Sequence, residues 1–220
     1  MSKKNISQEK IIQSFLTSAF EKSAGATSLA DIADILEIKK ASLYNHFNNR
    51  DAMYDATIYH CGKEIEAIKF LPEKSLSSLK SSKTTITGFF KKLITRFFEI
   101  YENEPLFQIY VFVHTEQYFN VEALKIVEKE IESISSEIRS ILQAFMDAEK
   151  ISKKSEKEIK DLGLSLANII LQERDFYIAS KKETVRQNPD CSAGSLFALP
   201  TDETFLNRTV KLVDCIIKNL

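Results

Sequence analysis

Apolar residues recur at three- and four-residue steps along almost the whole chain, and the every-second-residue alternation of a strand is nowhere sustained, so the pattern predicts an all-α protein. Ile11, Ile12, Phe15, Leu16, Ala19 and Phe20 share one face of a first helix over about residues 8–23. Ser7 stands at its N-cap, Ile6 and Ile11 at the positions of a hydrophobic staple, and Gly25 as its stop. A short second helix opens at Ser28, with Asp31 as capping-box partner, and buries Leu29, Ile32, Ala33 and Leu36. A third begins near Lys39. Asn49 caps a fourth, which reaches about Phe70 before Pro72 ends it.

The serine- and lysine-rich connector "EKSLSSLKSSK" then divides the chain into an N-terminal domain with its bridging fourth helix, 1–70, and a larger helical domain, 71–220. In the second domain the periodicity predicts helices near 85–103, 105–118, 121–149, 156–182 and 202–219. Ser155 with Glu158 makes a capping box for the next-to-last and Thr201 caps the last; between these two helices "QNPDCSAGSLFALP" reads as a loop.

Composition narrows the class. With 44% apolar residues in 220, the chain buries a real core. Its net charge of −1 hides an asymmetry, since residues 1–50 carry seven Lys and Arg against five Asp and Glu, and the remainder sums to −3. This leaves room for a local anion-binding face near the N-terminus. Cys61, Cys191 and Cys215 are odd in number and widely spaced, which fits a reducing cytoplasm rather than a disulfide framework or a zinc site. No leader-like apolar segment and no membrane-length run is seen, so a cytoplasmic protein is expected.

The chemistry concentrates in "IKKASLYNHFNNRD", residues 38–51. On a wheel of about 100° per residue with Lys39 at zero, Leu43 and Phe47 fall within about 80° and define a buried side. Asn45 faces the opposite way, flanked by Ala41, Ser42 and Tyr44. A short capped helix, a turn and a second helix with one polar face form a helix-turn-helix whose second helix fits the DNA major groove. Asparagine pairs with adenine, a small Ala41 allows close approach or meets a thymine methyl, and tyrosine, serine and histidine bind phosphate oxygens. Lys39, Lys40 and Arg50 add positive charge beside the same groove. Any three-helix bundle also presents a polar outer face, and half-buried structural roles for Tyr44 and His46 are the lesser alternative to DNA contact.

The order of these residues resembles the tetracycline-repressor (TetR/AcrR) family of bacterial transcription regulators. The matching stretch runs from Ile11 to about Tyr54 and includes Ala19-Phe20, Gly25, "TSLADIA" and above all "ASLYNHFNNRDAMY". The resemblance implies phosphate contacts from Ser28, Ser42, Tyr44, His46 and Arg50, and base-edge contacts from Lys40, Ala41 and Asn45. Three positions depart from the family pattern: Glu37 stands at the usual turn glycine, Lys39 at the usual serine cap and Ala41 at a frequent glycine. The resemblance also implies double-stranded operator DNA as partner, a small-molecule effector of unknown identity and a homodimer formed through the last two helices.

In the second domain, ten of the 22 Phe and Tyr residues lie between Phe89 and Phe119, a density that means core, cavity or both. Phe89, Phe97, Tyr101, Phe107, Tyr110, His114, Gln117, Asn168 and Gln172 are the candidate effector-pocket residues, with Glu116 and Arg174 as further polar groups nearby in the pattern. The last two helices carry apolar residues on more than one stripe, Ile159 to Tyr177 in one and Phe205 to Leu220 in the other, as helices that pack on two sides do. No metal or cofactor is implied, and neither a phosphate loop, a nucleophile elbow nor HExxH occurs, so an enzyme is not expected. The alternative from another class is a helical small-molecule-binding or sequestering protein that keeps the N-terminal bundle as scaffold.

Overall fold

The structure, a computed structural model, describes residues 6–80, 84–187, 203–218 and 220. These form α1 (Gln8–Lys22), α2 (Leu29–Leu36), a 3-10 helix (Lys40–Asn45), α3 (Arg50–Ala67), a second 3-10 helix (Ser75–Lys80), α4 (Ile86–Ile100), α5 (Leu106–Glu116), α6 (Val121–Asp147), α7 (Glu156–Gln187) and α8 (Glu203–Ile217). The protein is therefore all-helical over its described residues. The loop expected beyond Gln187, the Thr201 cap and Cys191 lie outside them.

Helix starts follow the caps. The Lys10 N–H donates to Ser7 Oγ at 3.3 Å, and the Ala52 N–H to Asn49 Oδ1 at 2.7 Å. Ser28 with Asp31, and Ser155 with Glu158, close the two expected capping boxes. Helix α7 outruns its expected end at 182 because Val185 continues the buried stripe and Arg186 pairs with Glu183 at 2.6 Å.

Three local expectations are revised. Helix α1 stops at Ser23, with φ 80° and ψ 155°, rather than at Gly25. There the Thr27 hydroxyl donates to the Ser23 carbonyl at 2.9 Å and holds the extended exit. The third helix is a 3-10 segment instead of an α-helix. Lys39 offers no side-chain cap, and the turn closes through i→i−3 bonds, Ser42 N–H to Lys39 at 2.8 Å and His46 N–H to Leu43 at 3.0 Å. The bridging helix expected to reach Phe70 stops at Ala67.

Packing divides the chain into two units, Met1–Ala67 with Pro105–Val127, and Ile68–Glu104 with Glu128–Leu220. A single boundary at 70/71 does not express this, because α5 and the first residues of α6 group with the N-terminal helices. In the first unit, α1 packs on α2, α3 and α5. Phe15 meets Phe112 edge-on at 6.2 Å and Phe20 meets Phe107 at 5.2 Å. Two polar clips join the same layers: Gln13 Nε2 donates to Gln108 at 2.9 Å, and the Tyr54 hydroxyl to Glu116 at 2.7 Å. Burial, reinforced by the Glu116 carboxylate, pushes the Tyr54 phenol well above its ordinary range.

The second unit encloses a charged core. Arg174 on α7 is 0% exposed and holds both Glu130 carboxylate oxygens, at 2.8 and 2.9 Å. Its guanidinium lies 4.8 Å from the Phe97 ring centroid and 4.5 Å from that of Tyr101, whose hydroxyl donates to Glu130 at 3.0 Å. Burial pulls the Arg174 pKa down, but the Glu130 carboxylate outweighs it and the group is held protonated. A buried pair of this kind is costly to break and often harmless to replace whole. Arg174→Met alone should therefore lose about 3–5 kcal/mol in urea unfolding, and the Glu130→Leu/Arg174→Met double variant much less.

Helix α2 ends on Glu37, a left-handed residue at φ 54° and ψ 47° in the position where the family pattern has glycine. The Glu37 N–H reaches the Asp34 carbonyl at 3.0 Å and the Ile38 N–H reaches Ala33 at 2.9 Å, so the last carbonyls are satisfied at the expense of a strained Cβ. Glu37→Gly should raise the unfolding free energy by about 1 kcal/mol, read from the shift in urea midpoint.

Candidate nucleic-acid interface

The reading segment Lys40–Asn45 is held by two side chains. Leu43 is 0% and Phe47 8% exposed, both in the core of the first unit. Around them Lys39, Lys40, Ala41, Tyr44 and Asn45 are exposed, with Tyr44 at 51%, while Ser42 and His46 are half-buried. The division of faces read from the sequence therefore survives the change of helix type, because the two anchors, four residues apart, decide which side turns inward. What stands out is a hydroxyphenyl, a carboxamide, a methyl and two ammonium groups, a set that offers both phosphate and base-edge contacts.

Ser28 and Arg50 sit differently from the rest. The Ser28 backbone N–H and its hydroxyl both donate to Asp31 Oδ2, each at 2.7 Å, and Lys22 Nζ lies 2.5 Å from the same carboxylate. The Lys22 ammonium and Ser28 hold Asp31 well below the usual carboxylate range. The N-terminus of α2 thus already carries an anion of its own. Arg50 is turned inward: Nε donates to the Thr27 carbonyl at 2.8 Å, Nη2 donates to the Ala24 carbonyl, and the guanidinium carbon lies 5.5 Å from the Phe15 ring centroid. Its Nη1 is 3.9 Å from Asp51. These contacts make Arg50 the bolt between α3 and the α1–α2 turn, a role the one-dimensional order of residues does not reveal.

One polar contact escaped the sequence reading. Gln8, the first residue of α1, donates its Nε2 hydrogen to the carbonyl of His46 at 3.1 Å, across 38 residues. No local pattern signals such a pair; only the packing of α1 beside the reading segment creates it.

The nine candidate pocket residues divide between the two packing units. Phe89, Phe97 and Tyr101 are buried in the second unit, and Phe107, Tyr110, His114 and Gln117 belong to the first. Asn168 and Gln172 lie on the exposed side of α7. The rings pack on other rings, Phe89 on Phe145 at 5.5 Å, Phe97 on Phe70 at 5.3 Å and Tyr110 on His114 at 3.9 Å. Among the described residues no group of three or more His, Cys, Asp and Glu side chains is placed to hold a metal. No described helix is long and apolar enough to cross a membrane.

Comparison with known proteins agrees with this geometry. The family described as bacterial regulatory proteins, tetR family, matches residues 16–57, which span the helix-turn-helix and the start of α3. The chain is 28% identical over 150 residues to the Staphylococcus aureus (strain Newman) biofilm operon icaADBC HTH-type negative transcriptional regulator IcaR, covering 68% of this chain and 74% of that protein. The Staphylococcus epidermidis IcaR is 39% identical over 54 residues, 24% of this chain and 29% of that protein. In fold, the chain is similar to a putative TetR-family regulator from Mesorhizobium loti, with TM-score 0.59 at 12% identity over 95% of both chains. A TetR regulator from Legionella pneumophila superimposes with TM-score 0.55 at 16% identity over 97% of this chain and 98% of that one. With an inward Leu43 and Phe47 and an outward Tyr44 and Asn45, residues 16–57 match the helix-turn-helix segment of the bacterial regulatory proteins of the tetR family, and the chain shares the all-helical fold of TetR-family regulators.

Proposed function

We propose that the protein is a ligand-released homodimeric repressor whose two reading segments enter successive major grooves of a palindromic operator. The observation that carries this reading is the exposure of Lys40, Ala41, Tyr44 and Asn45 on one short segment pinned by Leu43 and Phe47. The staphylococcal relatives are negative transcriptional regulators, which favours repression over activation. Exposed Leu164, Phe176 and Leu212 on α7 and α8 favour a twofold contact through these helices, since apolar side chains of this size gain most when a second copy covers them. An effector releases DNA only to the extent that it binds the non-reading arrangement better. Helix α6 contributes residues to both packing units and is the element best placed in the chain to carry that coupling.

Roles within the site follow from the contacts. Tyr44 and His46 serve phosphates, Lys40, Ala41 and Asn45 serve base edges, Lys39 adds charge, and Arg50 supports the turn that presents them.

Footprinting on the DNA flanking the protein's own gene should protect an inverted repeat; binding of small molecules without any protection would favour the sequestering protein instead. On that operator, Lys39→Ala should flatten the dependence of log affinity on log salt by about 0.9 for a lost phosphate contact, with stability unchanged. Tyr44→Phe should weaken binding several-fold with little change of slope. Arg50→Ala should behave oppositely to Lys39→Ala, losing about 2 kcal/mol of unfolding free energy through the two vacated carbonyls.

A further inference from the structure

We infer that Gln8 is a positioning residue for operator recognition: it fixes the rotation of the reading segment without touching DNA. This rests on the DNA-reading role proposed for Lys40–Asn45. Reading base edges needs side chains held within about 0.5 Å and 10–20° of their productive geometry. Leu43 and Phe47 anchor the segment by apolar burial, which is strong but non-directional. At its start, Lys39 supplies no side-chain cap. At its end, the His46 carbonyl accepts the Gln8 carboxamide N–H at 3.1 Å. A hydrogen bond is directional, and this one holds the backbone of the residue that directly follows Asn45.

Gln8 is well suited to act as a fixed post. It is the first residue of α1, directly after the Ser7 cap that receives the Lys10 N–H, so its backbone is set by the capped turn. Three and four residues on, Ile11 and Ile12 are buried, which ties that turn to the core. The carboxamide therefore transmits the position of α1 to the C-terminal end of the reading segment.

The test uses the full-length protein with two duplexes, the footprinted operator and a scrambled sequence of equal length. Gln8→Met keeps side-chain length and helix propensity and removes the carboxamide, the donor to His46 with it. Expected is a three- to tenfold loss of operator affinity, with unaltered affinity for the scrambled duplex, an unchanged salt slope and an unchanged Tm. Tolerance of single base changes in the operator should widen, because a looser segment discriminates less. Unchanged operator affinity in Gln8→Met overturns the inference. A parallel loss on both duplexes with a shallower salt slope also overturns it, since Gln8 would then contact DNA itself. So does a loss that merely follows a lowered Tm. Wild-type protein that prefers neither duplex defeats the underlying DNA-reading role, a result separable from the other three because it needs no variant.

Discussion

Leu43 and Phe47, inserted into the core beneath Lys40–Asn45, are the constraint on which the interface depends. A six-residue 3-10 segment has too few internal hydrogen bonds to persist alone, and without a side-chain cap at Lys39 it has less support still. Its shape is borrowed from the domain through these two side chains. The same burial forces the polar remainder outward, so one packing decision both stabilises the segment and presents Tyr44 and Asn45 to a partner.

Around that anchor the protein spends its directional contacts on geometry rather than on added affinity. Arg50, the obvious cation beside the groove, is committed to the carbonyls of Ala24 and Thr27. Asp31 occupies the α2 N-terminus and is neutralised by Lys22. Lys39 and Lys40 are the exposed cations of the segment, in keeping with a modest charge asymmetry rather than a strongly basic domain.

In the second unit a different physics prevails. Arg174 and Glu130 form a fully buried bidentate pair walled by Phe97 and Tyr101. Aromatic density in the sequence is compatible with a cavity or a core, and here the rings pack upon one another and on the ion pair. The sequence pattern places Arg174 and Tyr101 among the candidate ligand-orienting and pocket-lining groups. Their mutual contact depends on Glu130, which the helical period places on the buried stripe with Val127 and Ile134, unlike its solvated neighbours Glu128 and Glu132.

The sequence by itself determined the α-helices outside residues 40–45, their capped starts at Ser7, Ser28, Asn49 and Ser155, the inward and outward faces of residues 39–47, and the resemblance to the TetR family. These are local properties, written in spacing and in the chemistry of residues within about one turn of each other. The tertiary structure decided what depends on residues far apart in the chain. It placed the α1 stop at Ser23 through Thr27, turned Arg50 inward, joined Gln8 to His46, and grouped α5 with the N-terminal helices. It also assigned Phe107 and Tyr110 to one packing unit and Phe97 and Tyr101 to the other, although all four belong to one aromatic stretch of sequence. Periodicity states that a side chain is buried; only the packed partner determines against what, and that choice is made by the whole chain.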